Sequence, residues 1–162
     1  MAGSPRHPNA ALLERFYAAL GRRDAATMIA CYAPDATFSD PAFPALDAAG
    51  VAAMWRMLCA RGKDLAVVAS GIDADGEKGR AHWVATYTYS ATGRRVENRI
   101  DATFVFRDGL IVRHEDRFDL WRWLGQALGM KGRLLGWLPP VQRAMRAQAA
   151  KTLADWRARQ SP

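Results

Sequence analysis

Residues 32–41, Tyr32-Ala33-Pro34-Asp35-Ala36-Thr37-Phe38-Ser39-Asp40-Pro41, decide how this chain reads. Thr37 and Phe38 favour a strand, and Pro41 biases Asp40 away from the helical region toward extended backbone. A carboxylate therefore stands at the mouth of a strand, among aromatic and aliphatic residues, where it is a candidate general base. Two helical patterns lead into this strand. Asn9 is placed to cap a helix running to about Arg22, with Leu12, Leu13, Phe16, Tyr17 and Leu20 as its apolar stripe. Asp24 caps a second, Ala25 to Cys31. After the strand and an Ala/Pro loop, a third helix runs from about Ala48 to Arg61. It carries Val51, Met54, Trp55 and Leu58 on one face and ends at Gly62.

Beyond Gly62 the period changes. Leu65–Ile72, His82–Ser90, Val96–Phe106 and Leu110–Phe118 read as strands, separated by Asp73-Ala74-Asp75-Gly76, Thr92-Gly93 and Asp108-Gly109. The last three make an antiparallel meander. Helices followed by strands predict an α+β fold, a cone-shaped curved antiparallel sheet wrapped on three N-terminal helices. Residues 1–8 read as a disordered tail, 9–128 as the domain and 129–162 as a basic helical arm. Asp119 opens a helical pattern with Trp121, Leu124 and Leu128. A Leu134–Leu138 patch and Pro139-Pro140 then precede a final helix, Val141 to about Arg159.

With 162 residues, half of them hydrophobic and six of them Trp, the chain has ample material for one buried core. Its net charge is +7, and most of it is local. Between 130 and 162, Lys131, Arg133, Arg143, Arg146, Lys151, Arg157 and Arg159 face one acid, Asp155. The remainder is near neutral, which argues against nucleic acid as a partner across the domain. Two readings fit the arm: packing on its own domain or a dimer mate, or weak contact with an anionic membrane surface. Cys31 and Cys59 sit in apolar helical contexts without metal-ligand spacing and read as buried free thiols. With no phosphate loop, nucleophile elbow or ligand cluster, no cofactor and no metal are expected. No signal peptide or transmembrane run is read, so the cytoplasm is the expected compartment.

The order of elements, together with Tyr32…Asp40-Pro41 and Asp101…Gly109, resembles the nuclear transport factor 2-like superfamily, in its SnoaL-like and ketosteroid-isomerase-like branch, over Asn9 to Leu128. That resemblance implies a bent sheet against three helices around a deep, mainly apolar pocket, and a homodimer through the outer face of the sheet. It also implies a proton-shuttling role for Asp40 and an oxygen-holding role for Asp101. Phe16 and Trp55 stand where ketosteroid isomerases carry tyrosines, whereas Tyr32 is retained. Glu115-Asp116-Arg117-Phe118-Asp119-Leu120 is similar to a limonene epoxide hydrolase motif through Asp116. The water-activating Arg-x-Asp of those enzymes falls on Trp83 and Ala85 and is absent.

Strand residues two apart share a face. If Asp101 points inward, Arg99 does too; an inward Phe118 takes Asp116 and His114 with it, leaving Arg113, Glu115 and Arg117 outside. Asp40, Arg99, Asp101, His114 and Asp116 are the candidate catalytic set. Phe16, Tyr32, Trp55, Trp83, Tyr87 and Phe118 are candidate pocket lining, or simply core. Buried charges must satisfy one another or serve chemistry. Arg99 pairing with Asp101 or Asp116 is one such scaffold, and a turn-forming Asp40 before Pro41 is another. The functional expectation is a cofactor-independent isomerase, cyclase or dehydratase acting on a small hydrophobic carbonyl compound. The alternative is a non-catalytic ligand-binding or interaction module.

Overall fold

The computed structural model describes residues 5–162. The first helix, α1 (Pro8–Gly21), places Pro8 in its first turn, where a missing N–H costs nothing. His7 takes the capping role expected of Asn9, accepting the Asn9 N–H at Nδ1 (3.1 Å). The Asn9 side chain instead donates to the Asp75 carbonyl (2.8 Å) and ties α1 to the sheet. Of the tail expected over 1–8, residues 1–4 lie outside the described residues; residue 8 is already helical, and Arg6 pairs with Glu14. Asp24 caps α2 (Ala25–Ala30) through the Thr27 N–H, and Asp47 caps α3 (Ala48–Arg61) through the Gly50 N–H.

Five strands follow the predicted sequence: β1 (Tyr32–Ser39), β2 (Ala66–Ala74), β3 (Lys78–Tyr89), β4 (Arg94–Arg107) and β5 (Leu110–Arg117). They form one sheet in the order β1-β5-β4-β3-β2. The meander is antiparallel as expected, but β1 pairs with β5 in parallel. α3 and strands β2–β4 lie between those two strands in the chain, and β5 returns along β1 in the same direction. The β4–β5 turn is Asp108-Gly109, with φ of +52° and +76°, which is the geometry an Asp-Gly hairpin turn demands.

The helices lie on one face of this sheet. Leu13, Phe16 and Leu20 of α1, Met28 of α2 and Val51, Met54 and Trp55 of α3 pack on Ile100, Phe104, Phe106 and Ile111. Each such side chain contributes roughly 1.5–3 kcal/mol by leaving water. Two features then aim the polar groups. β4 alternates, with Val96, Asn98, Ile100, Ala102, Phe104 and Phe106 buried and the residues between them facing outward. A bulge in the β4–β5 ladder leaves Val112 unopposed, so that Ile111 and His114 are both buried, followed by Asp116.

After β5, Asp119 caps α4 (Leu120–Leu128), which buries Leu120, Trp123, Leu124 and Ala127 against Val96. A short helix that the sequence does not announce, α5 (Met130–Leu135), folds straight back on α4. Gly129 turns the chain with φ +73°, and a side chain at Gly132 would run into the Leu124 carbonyl. The last helix, α6 (Pro139–Gln160), does not stand free. Leu153 is buried in the main core, with Met145, Ala149 and Trp156 packed beside it. None of the helices described is long and apolar enough to cross a membrane.

Candidate active site

A continuous hydrogen-bonded chain runs from α3 to β5. Trp55 Nε1 donates to Tyr32 Oη (3.0 Å), Tyr32 Oη lies 2.7 Å from His114 Nδ1, and His114 Nε2 lies 2.8 Å from Asp116 Oδ1. A carboxylate only accepts, so a neutral His114 carries its proton on Nε2 and leaves Nδ1 as the acceptor. Tyr32 donates its hydroxyl proton to Nδ1, and Nε2–H donates to Asp116. Burial, the largest influence on Tyr32, pushes its phenol well above the usual range, which keeps it the donor this chain requires.

The imidazole is completely buried, and Asp116 is 4% exposed. Phe38 and Phe104 close on His114 at ring distances of 4.9 and 4.3 Å, with Phe16 at 5.8 Å. Phe16 and Trp55 thus serve as walls that fix the imidazole, packed into the core.

Asp40 sits half-buried just past the end of β1. Its backbone N–H donates to the Phe43 carbonyl, and its Oδ1 accepts from the Ala42 and Phe43 N–H groups (2.7 and 2.6 Å). Burial raises its pKa to about 7. The negative charge of Asp116 adds to that rise, while the backbone N–H donors of Phe43 and Ala42 oppose it. Tyr87 lies on the same side of the cone. Its oxygen accepts from Trp123 Nε1 (2.7 Å), and burial, helped by the charge on Asp40, pushes its phenol up to about 12. The hydroxyl proton of Tyr87 is left to donate.

α6 covers the loop after Asp40. Val141 and Met145 pack on the α4 cluster, Arg146 Nε donates to the Pro41 carbonyl (2.9 Å), and the Arg61 guanidinium lies 6.0 Å over the Trp156 ring. The helix therefore crosses from α4 to α3 over the segment that holds the carboxylate. Deeper in the cone, Tyr17 Oη and Trp83 Nε1 are buried without a hydrogen-bond partner, and their rings are 5.8 Å apart. Asn98 is the one buried polar residue of β4.

Of the candidate catalytic set, His114 and Asp116 are together and Asp40 is within electrostatic reach of both. Arg99 and Asp101 are not with them. Asp101 has an 81% exposed side chain and pairs with His82 (2.9 Å), while Arg99 pairs with Glu97 (3.1 Å), all outside the sheet. The inward alternation expected for β4 is one residue out of phase, because burying Arg99, Asp101 and Thr103 would have exposed Ile100, Phe104 and Phe106. That apolar alternation is visible in the sequence. Tyr17, Asn98, Trp123 and Arg146 escape sequence reasoning as site residues, and only their partners reveal them. Trp83 is buried; Tyr87 and Phe118 are half-buried at the cluster edges. Two surface crevices, of about 170 and 200 Å³, open beside α2–β1–α3 and between residues 42–46 and α6. Neither is lined by Asp40, His114 or Asp116.

The chain belongs to the SnoaL-like domain family, whose profile matches residues 13–114. Among solved structures it is similar to IdmH, a proposed polyketide cyclase from Streptomyces antibioticus, at 26% identity. That match covers 76% of this chain and all of IdmH, with a TM-score of 0.63. A nuclear transport factor 2-like protein of unknown function from Burkholderia pseudomallei matches at 20% identity over 74% of this chain and 97% of its own, with a TM-score of 0.66. An epoxide hydrolase of the limonene epoxide hydrolase-like kind from M. tuberculosis matches at 20% identity over 80% and 96%, with a TM-score of 0.60. No curated protein sequence matches the chain. These likenesses place the curled sheet and its helices in the nuclear transport factor 2-like fold.

Proposed function

We propose that this member of the SnoaL-like family is a cofactor-independent acid/base enzyme of the cyclase, isomerase or dehydratase type. Its substrate is a small, mainly hydrophobic molecule carrying one or more carbonyl groups. The observation that carries the reading is Asp40, a carboxyl raised to about 7 and held by two backbone N–H groups beside a buried charge. A general base works best when its pKa lies near the operating pH. Two carboxyls whose surroundings differ this way suit a division of labour.

In this mechanism the Asp40 carboxylate takes the proton α to the carbonyl, and the electron pair moves onto the carbonyl oxygen. The Tyr87 hydroxyl meets that developing charge. Protonated Asp40 then returns the proton to another atom of the same molecule or to its leaving oxygen. His114 has both nitrogens engaged, so it acts by holding Asp116 and not by touching the substrate. Tyr17 and Trp83 supply two more donors. A buried donor left unpaired costs about 1–3 kcal/mol, so a bound molecule with several oxygens relieves both. IdmH, as a proposed polyketide cyclase, supports a polyoxygenated carbonyl substrate.

The test is deuterium exchange α to the carbonyl, followed by NMR, over a panel of β-dicarbonyl and aromatic polyketone compounds. Wild type should exchange at least one of them, and Asp40→Asn should lose about 100-fold or more of the rate while still binding. An unchanged rate in that variant removes Asp40 from the chemistry. The other reading, a binding module without catalysis, is favoured by the turn-forming bonds of Asp40. Binding of panel compounds with no exchange in wild type would select it.

A further inference from the structure

We infer that the corner formed by α4 and α5 is a docking surface for anionic lipid. Among the described residues, all but two of the large exposed apolar side chains fall within 121–137: Trp121, Leu128, Met130, Leu134, Leu135 and Trp137. Met130 and Leu134 are 65% and 64% exposed. This exposure is not fraying. The inner face of α4 is anchored by Trp123, Leu124 and Ala127, and Gly129 and Gly132 lock α5 against it. Trp121 Nε1 donates to the Arg133 carbonyl (3.0 Å) and Trp137 Nε1 to the Leu134 carbonyl (3.1 Å). Both indoles are thus held with their polar atoms satisfied and their apolar rings about half-exposed. A soluble surface rarely presents such a cluster without an occupant.

Charge selects the occupant. From Leu120 to Ala154 the chain carries six cations and no acid. Arg122 and Lys131 stand exposed in the corner itself, with Arg133 beside them. A second copy packed through the same patch would bring identical cations face to face across the two-fold axis. An anionic bilayer satisfies both halves of the surface. The Trp, Leu and Met side chains enter the headgroup boundary, and the cations meet the headgroups. By sequence, one of the two readings of the arm lays its last helix, with Leu134–Leu138, on an anionic membrane surface. The structure moves that contact to α4–α5, because α6 spends its apolar face on the core. α4 also carries Trp123, the donor to Tyr87, so docking would bring the Tyr87 side of the fold close to a membrane-dissolved apolar molecule.

The test is sedimentation of the full chain with vesicles of phosphatidylcholine alone and of phosphatidylcholine mixed with phosphatidylglycerol. The full chain should pellet with the mixed vesicles and stay in solution with the neutral ones. Two surface variants, Met130→Ser/Leu134→Ser and Arg122→Glu/Lys131→Glu, should each lower partitioning on the order of tenfold. Unchanged circular dichroism and melting temperature will show that both remain folded. No pelleting with mixed vesicles overturns the inference, as does wild-type partitioning by both variants. Self-association of the vesicle-free chain that the Ser variant abolishes, without lipid binding, overturns it in favour of a second copy.

Discussion

His114 and Asp116 lie two residues apart on one strand and join their side chains at 2.8 Å, both out of water. Neighbours i and i+2 share a face of a strand, so the contact costs no loop closure and is built into β5 itself. The far nitrogen of the imidazole is used on Tyr32, which in turn is used on Trp55. The result is one buried carboxylate, fixed in place, whose charge bears on Asp40.

Replacing Asp116 with Asn removes that charge while keeping an acceptor for His114. Asp40 should then titrate lower, and the acidic limb of the pH–rate profile should move to lower pH. The fold should lose about 1–3 kcal/mol from the weakened buried bond. Urea denaturation and pH–rate profiles of wild type and variant check both. An unmoved limb would show that Asp116 does not act on Asp40.

Asp40 links stability to pH. Its carboxyl titrates near 7 in the fold against an ordinary 3.8, so between those values the folded chain binds the proton more tightly than the unfolded one. Stability from this group therefore falls as pH rises from about 4 through 7. A tenfold difference in proton affinity is worth about 1.4 kcal/mol, discounted here by the partial exposure of the residue. Asp40→Asn keeps the acceptor oxygen and loses the charge. Its melting temperature should exceed that of wild type at pH 8, and the difference should vanish near pH 4. Thermal melts at the two pH values decide it, and a variant less stable at pH 8 would contradict the burial of this group.

Arg146 is the polar clasp between α6 and the loop after Asp40. Arg146→Ala should cost about 1 kcal/mol and admit water to the loop. The apparent pKa of Asp40 should then drop toward the usual carboxylate range. Melting temperature and the acidic limb of the rate profile measure the two effects separately. Loss of stability with an unmoved limb would confine Arg146 to packing.

Much of the fold is legible because local signals agree with it. Asp24 before α2, Asp108-Gly109 between β4 and β5, and the periodic Leu12, Leu13, Phe16 and Leu20 each announce their element within a few residues. His7 shows where such signals compete: a histidine and an asparagine both stand where a cap is needed, and Asn9 finds a better partner in the Asp75 carbonyl. Asp101 shows a different failure. Its match to a family acid points inward, yet the alternation of Val96, Ile100, Ala102, Phe104 and Phe106 turns it outward, and burial of five apolar side chains outweighs one expected role.

By itself, the order of residues determined the α+β class, the order of the strands, the carboxylate before Pro41 and the two-residue spacing of His114 and Asp116. All of these rest on interactions between near neighbours in the chain. Tertiary structure alone decided that Tyr32 and Trp55 complete the His114 relay, that Asp116 bears on Asp40, and that α6 covers their loop. Those contacts join segments 23 to 105 residues apart, and which groups meet depends on how whole faces of helix and sheet are buried.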